Sequence, residues 1–256
     1  MAFMDSTGKP LVYSASQIPE VEILEGLQSK FDLMLRTCEF FFKGKLIMDN
    51  PPFRGFILEG QPGTGKTELI KQVARKLDKR LSSVNFALVD GASIAAPKWG
   101  EGERNLRDAF HRIDELQRDQ NGSKMIVLFD DIESLMVSRG ASVAKEWHYA
   151  INSILFHELD ATDPSNLLVC ATSNRPDLVD EAIRTRLYPI SVEPLDYKNL
   201  QPVVEEILNA SRIEGQNREK IIDIVMCRLE QANNPTIREA RYFTVVACIE
   251  NGVWVP

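Results

Sequence analysis

The chain has 256 residues, and 30 Lys and Arg against 37 Asp and Glu leave a net charge of −7. An apolar share of 44% beside 26% charged residues is that of a globular protein able to bury a core without disulfides or metals. The acidic balance disfavours nucleic acid as the main partner, and no apolar run reaches the length of a membrane span. Cys38, Cys170, Cys227 and Cys248 lack the paired spacing of a disulfide framework or zinc site and read as buried thiols. With no hydrophobic signal core in residues 1–20, the expectation is a reduced, cytoplasmic protein without membrane association.

In chain order, residues 1–20 are polar and turn-rich and read as a tail or strap. Apolar spacing over Val21–Phe42 predicts a helix packed on one side, which Asn50-Pro51-Pro52 ends well before a short buried strand at Gly55–Glu59. Strands and helices then alternate. Lys66–Lys79 is an amphipathic helix, Phe86–Val89 a strand, and Glu103–Arg118 a helix with Leu106, Phe110, Ile113 and Leu116 aligned. Met125–Phe129 is continuously apolar, as suits a strand covered on both faces. Helix Val143–Leu159 and strands Leu167–Thr172 and Tyr188–Val192 follow, and Pro189 places the last at a sheet edge. This alternation predicts a layered α/β domain over residues 21–192 with a parallel sheet of five strands. Residues 193–256 read as a small helical domain with helices at Leu200–Ala210, Arg218–Gln231 and Pro235–Asn251, the last capped by Asn234.

Gly60–Thr67 reads GQPGTGKT, between a predicted strand and a predicted helix. The pattern GxxxxGK[ST] curls backbone N–H groups of Gly60, Pro62–Gly65 and their neighbours around phosphate oxygens, with proline itself contributing shape and no donor. Lys66 can reach the outer phosphates, and the Thr67 hydroxyl can ligate Mg²⁺. Ile126–Asp131, IVLFDD, is a buried strand ending in two carboxylates. Asp130 is suited to the Mg²⁺ shell and Asp131 to orienting or deprotonating a water. ATP with Mg²⁺ is therefore the expected ligand. His111, His148 and His157 have no metal-ligand spacing, and Asp180 and Glu181 read as helix-start charges.

With these motifs the chain resembles an AAA+ ATPase module: a helix-sheet-helix nucleotide domain followed by a helical lid. The stretch ATSNRPDLVDEAIRTRL, Ala171–Leu187, resembles the family's sensor 1 and arginine-finger region. The resemblance makes Asn174 the sensor 1 residue, and makes Arg184 and Arg186 fingers that reach a neighbouring subunit's nucleotide. KWGEGERNLR, Lys98–Arg107, resembles the pore loop, with Lys98 and Trp99 at the gripping positions. Asp131 stands where the family carries Glu, and Arg238 and Arg241 are both candidates for sensor 2. Lys76–Ser83, Pro97–Glu103, Val127–Leu135 and Ala150–Asp160 further resemble the pachytene-checkpoint, or thyroid-receptor-interacting, remodelers of HORMA-domain proteins. The bare module looks more like their bacterial branch, whose partners belong to antiphage signalling. The resemblance implies a homohexameric, ATP-driven protein remodeler that opens a closed HORMA-domain substrate. Two alternatives are a nucleotide-gated binding module with little hydrolysis, to which Asp131 points, and an AAA+ DNA loader, against which the charge argues.

Overall fold

The computed structural model describes residues 11–44, 51–94, 101–119, 123–135 and 146–253. By contacts the chain divides into two units. One takes the residues up to Val21, Lys30–Glu59 and Lys66–Ser191; the other takes Glu22–Ser29, Gly60–Gly65 and everything from Val192 onward.

The first unit contains β1 (Leu11–Ser14), most of α1 (Glu25–Phe42), β2 (Gly55–Glu59), α2 (Lys66–Leu81), β3 (Val84–Asp90) and the one-turn α3 (Gly91–Ile94). It continues through α4 (Glu101–Asp119), β4 (Lys124–Asp130), α5 (Glu146–Ala161), β5 (Leu167–Ser173), the one-turn α6 (Glu181–Arg184) and β6 (Tyr188–Ser191). The strands form one sheet in the order β1-β3-β4-β5-β2-β6. All neighbours are parallel except β1, which runs antiparallel to β3. The five expected strands are the parallel ones, and β6 with its Pro189 is an edge. The sixth strand corrects the reading of residues 1–20 as tail alone. Four residues are too few for alternation to register, yet Leu11–Ser14 pairs with Leu88–Asn85, and Tyr13 lies 5.7 Å from Phe86 between ring centroids.

Alternation along each strand divides the core. Ile57, Val89, Val127, Phe129 and Val169 join Leu106, Phe110 and Ile113 of α4 and Ile151, Leu155 and Leu159 of α5 in one buried cluster. Phe110 stacks on Phe129 at 5.5 Å. On α2 the buried residues Leu69, Ile70, Val73, Ala74 and Leu77 form one stripe, and the helix packs on β3, β4 and β5. Each such large side chain contributes roughly 1.5–3 kcal/mol on burial. Because both faces are covered, Ile126, Val127, Leu128 and Phe129 are all fully buried in succession.

The second unit holds α7 (Gln201–Ala210), α8 (Gly215–Gln231) and α9 (Ile237–Glu250). Ile221, Val225 and Leu229 of α8 pack with Val204 and Leu208 of α7 and Ala240 and Ala247 of α9. The expected cap of the last helix is corrected. Asn234 adopts a left-handed φ of 57° ahead of the helix, and Thr236 is the N-cap. Thr236 and Glu239 exchange the two hydrogen bonds of a capping box, so the T-x-x-E spacing outweighs the Asn-Pro signal.

No helix among the described residues is long and apolar enough to cross a membrane. Three of the four cysteines are buried, but Cys227 on α8 is exposed, contrary to the expectation of four buried thiols. Burial pushes the Cys170 thiol up to about 12, and burial also raises Cys38 and Cys248. At pH 8 a disulfide reagent should therefore titrate one thiol per native chain rapidly and the other three only in denaturant. Loss of the fast phase in Cys227→Ser would identify it, and a second fast thiol would contradict the packing described.

Candidate functional site

Parallel register brings the carboxyl ends of the central strands side by side. Asp90 of β3 lies opposite Asp130 of β4, and Glu59 of β2 lies opposite Ser173 of β5. In open α/β sheets this is the edge at which ligands bind.

Two residues from the start of α2 reach this edge. Lys66, 5% exposed, donates from Nζ to Asn174 Oδ1 at 2.8 Å. Thr67 donates from Oγ1 to Asp130 Oδ1 at 2.7 Å, and Thr172 donates to that same oxygen at 2.6 Å. The Thr172 hydroxyl in turn accepts the Asp131 N–H at 3.0 Å. One oxygen of Asp130 thus collects hydroxyls from α2 and β5, which fixes the carboxylate at the strand end.

Asp131 follows in a left-handed backbone conformation, φ 52°. Asp tolerates that region better than longer or branched residues because its short side chain can hydrogen-bond locally. Its Oδ1 accepts from Asn174 Nδ2 at 2.5 Å. The Asn174 amide therefore spans a cation and a carboxylate, offering oxygen to Lys66 and nitrogen to Asp131. Burial raises the Asp131 carboxyl above its ordinary value; Asp130 and Glu133 add to the rise and Lys66 opposes it. Glu133 accepts the Asn174 backbone N–H on Oε1 at 2.9 Å, while its Oε2 is buried without a hydrogen-bond partner.

The donor set at Thr67 and Asp130, a hydroxyl and a carboxylate 2.7 Å apart, fits a hard cation such as Mg²⁺. Among the described residues no three His, Cys, Asp or Glu side chains form a cage of their own. That also suits Mg²⁺, which is commonly held by one or two protein oxygens together with phosphate and water.

In the second unit, the loop Gly60–Gly65 packs against the start of α9. Gly63 has φ 84°, its carbonyl accepts the Arg238 N–H at 3.3 Å, and a Cβ on it would lie 2.7 Å from the Arg238 Cβ. No other residue fits there. Thr64 is buried and donates to the Gln61 carbonyl at 3.0 Å, whereas Pro62 is exposed. Of the two arginines weighed for sensor 2, Arg238 adjoins the loop; Arg241 points to Glu206 on α7 at 4.0 Å.

Arg184 and Arg186 both have partners within their own chain. Arg184 Nε donates to Glu59 at 2.9 Å and its Nη2 to the Pro176 carbonyl at 2.6 Å. Arg186 is held more firmly. It makes a two-pronged pair with Asp160 at 2.8 and 2.7 Å, donates to the Ala182 carbonyl, and lies 5.2 Å over the Phe156 ring. Asp180 caps α6 through the Ala182 N–H. Lys98 and Trp99, read as the pore loop, lie outside the described residues. Thr172, Glu133 and Glu59 were not singled out in the sequence. Only Glu133, three residues beyond Asp130, had a local cue in the run FDDIES.

Residues 56–193 match the family model described as AAA, the ATPase family associated with various cellular activities. An "AAA ATPase forming ring-shaped complexes" from Corynebacterium diphtheriae is 33% identical over 176 residues, covering 65% of this chain and 34% of that protein. A "Proteasome-associated ATPase" from Catenulispora acidiphila is 30% identical over 181 residues, covering 65% of this chain and 30% of that one. The chain thus spans about a third of the length of these curated relatives. Among solved structures, a chain of the HORMA:CdnC:Trip13 complex of E. coli MS115-1 matches with a TM-score of 0.64 over 92% of this chain and 93% of that one. At 14% identity, that likeness concerns the fold.

The Arg186–Asp160 pair yields a pH prediction. Its hydrogen bonds hold the Asp160 carboxyl below the ordinary value. A depressed folded value stabilises above the unfolded value and is lost as pH falls through the folded one. Asp160→Asn should cost at most about 1 kcal/mol at pH 7, because the carboxylate is half exposed. The gap in urea midpoint between wild type and Asp160→Asn should close below about pH 4; a gap independent of pH would remove the ion pair from the account.

Proposed function

Because the chain belongs to the AAA family, we propose that it is an ATP-hydrolysing remodeler that works as a ring of identical subunits on a protein substrate. The observation that carries the ATPase part is the Asn174 amide bridging Lys66 and Asp131, beside Thr67 and Asp130 on one oxygen.

The loop Gly60–Gly65 would cradle the phosphates with its N–H groups, and Lys66 would neutralise the outer ones. Thr67 and Asp130 would hold Mg²⁺, which when bound offsets phosphate charge. Asp131, its carboxyl raised by burial, accepts a proton from or aligns the attacking water. Asn174 holds Asp131 by its amide nitrogen and would turn toward the terminal phosphate. Arg238, beside the loop at Gly63, is the lid residue assigned to nucleotide contact.

Between the two arginines, Arg184 is the better trans finger. It leaves the Glu59 carboxylate, the Pro176 carbonyl and a long 3.9 Å pair with the exposed Glu181, whereas Arg186 would have to break a two-pronged ion pair, a carbonyl bond and a ring contact. A guanidinium completing a neighbour's site can be worth about 10³–10⁵ in rate. Ring assembly is supported by the family and by the Corynebacterium relative, an AAA ATPase forming ring-shaped complexes; a ring of six is the number proposed. The specific substrate proposed is a HORMA-domain protein, gripped by Lys98 and Trp99. Sequence likeness in four segments and the fold likeness to a chain of a HORMA-containing complex support it.

Lys66→Ala should lose ATP binding. Asp131→Asn should bind ATP and release phosphate at least about a hundredfold more slowly than wild type. Arg184→Ala should lower turnover about a thousandfold while leaving monomer stability within about 1 kcal/mol, and Arg186→Ala should instead lower the melting temperature. With Asp131→Asn as bait in lysate containing Mg²⁺ and ATP, a HORMA-domain protein retained only by that bait, and not by Lys66→Ala, is the expected result. Phosphate release by wild type no faster than by Lys66→Ala would replace the motor with a nucleotide-gated binding module. Remodelling that survives Trp99→Ala would remove the pore grip.

A further inference from the structure

Resting on the ATPase reading above, we infer that Glu133 is a positioning residue for hydrolysis, acting through Asn174. The sheet does not set the Asn174 backbone: the β2–β5 ladder ends at Glu59 and Ser173, one residue earlier. What fixes the Asn174 N–H is the Glu133 carboxylate, at 2.9 Å. An anionic acceptor makes this hydrogen bond stronger than a neutral one.

Glu133 itself sits on an anchored element. It belongs to a 3₁₀ turn, Ile132–Leu135, whose apolar ends are 0% and 1% exposed. The turn closes on Asp131, whose carbonyl accepts both the Ser134 N–H at 3.0 Å and the Ser134 hydroxyl at 2.8 Å. The chain thus leaves the strand at Asp130, turns through the left-handed Asp131, and returns a carboxylate to the tip of the adjacent strand. Asp131 and Asn174 are fixed to each other twice, through their side chains and through Glu133 and the Asn174 backbone.

That second link governs orientation. The Asn174 amide has to present oxygen to Lys66 and nitrogen to Asp131. A rotation of the peptide at the strand tip swings both atoms away, and a flip sets like against like. Displacements near 1 Å at a reacting centre can cost about a hundredfold. The other carboxylate oxygen, Oε2, is buried without a partner. A side chain kept only for packing would be better as an apolar residue, because burying an unpaired polar atom costs free energy. Retaining a carboxylate here is explained by the work of the first oxygen on Asn174.

The test compares Glu133→Ala, Glu133→Gln, Asn174→Ala and the double variant Glu133→Ala/Asn174→Ala in the full chain, by steady-state ATP hydrolysis with thermal melts alongside. Glu133→Ala should lower kcat about tenfold to a hundredfold with the KM for ATP changed less than about twofold. Glu133→Gln keeps an acceptor oxygen and nearly the same volume, and should recover most of kcat. In the Asn174→Ala background, Glu133→Ala should lower kcat no further, because there is no amide left to orient. Multiplicative losses in the double variant, or a loss in kcat that tracks melting temperature across both Glu133 variants, would overturn the inference. Wild-type kcat in Glu133→Ala, with Asn174→Ala impaired, would overturn it alone. Turnover in Lys66→Ala equal to that of the parent would overturn the ATPase reading and the inference together.

Discussion

Covering a parallel sheet on both faces leaves its strand ends as the places where polar side chains can gather without being stranded in an apolar interior. The rest of this site follows from that constraint. Ile126–Phe129 admits no polar group, so the first carboxylates on β4 appear where the strand emerges, at Asp130 and Asp131. Register then supplies their neighbours. β5 ends beside β4 with Thr172, Asn174 follows one residue past its end, and β2 lies on its far side and leads into the loop before Lys66. The charges at this edge are mutually dependent. Asp130 is held by two hydroxyls and Lys66 by an amide oxygen, while Asp131 is raised first by burial and then by the carboxylates of Asp130, Glu133 and Asp90.

Several parts of this arrangement were written locally in the chain, and others were not. The five parallel strands could be read because each is an apolar run bounded by turn residues. The run Met125–Phe129 needed a covered sheet on both sides, and Pro189 needed an edge. β1 escaped because Leu11–Ser14 is four residues long and gains its identity from β3, more than seventy residues on. The cap of α9 was misread because two signals overlap within three residues, and the reciprocal bonds of Thr236 and Glu239 prevail over a single Asn side chain. At the site, the glycine loop and the two aspartates announce themselves by spacing. Thr172 does not, and Glu133 does so only by its place beyond Asp130, since the role of each depends on a partner that folding brings to it from about forty residues away.

The arginines near α6 illustrate how residues of one type, two positions apart, acquire different surroundings. A helix of only one turn sends Arg184 toward the end of β2 and Arg186 toward α5. Glu59 is the residue immediately before the glycine loop, so the Arg184 pair ties α6 to the entry of that loop. Asp160 lies at the end of α5, and with Phe156 one turn earlier it forms a slot for a guanidinium. The sequence alone treats the two as equivalent. Their partners differ: Arg184 is held by Glu59 and a carbonyl near β2, Arg186 by a two-pronged pair and a ring on α5.

The two edges of the sheet have a consequence for how copies of this chain can meet. At one side the outer strand is β1, four residues long and antiparallel; at the other it is β6, also four residues long and containing Pro189. Proline lacks the N–H that a further strand would need, and short edges give little length for a new ladder to form. Among the described residues, neither rim offers more than four residues of backbone to a further strand. A further strand would gain few ladder bonds at either described rim, so a contact between copies would draw on side-chain surfaces, which can separate and re-form, rather than on a shared sheet. Short rims with a proline also disfavour edge-to-edge stacking.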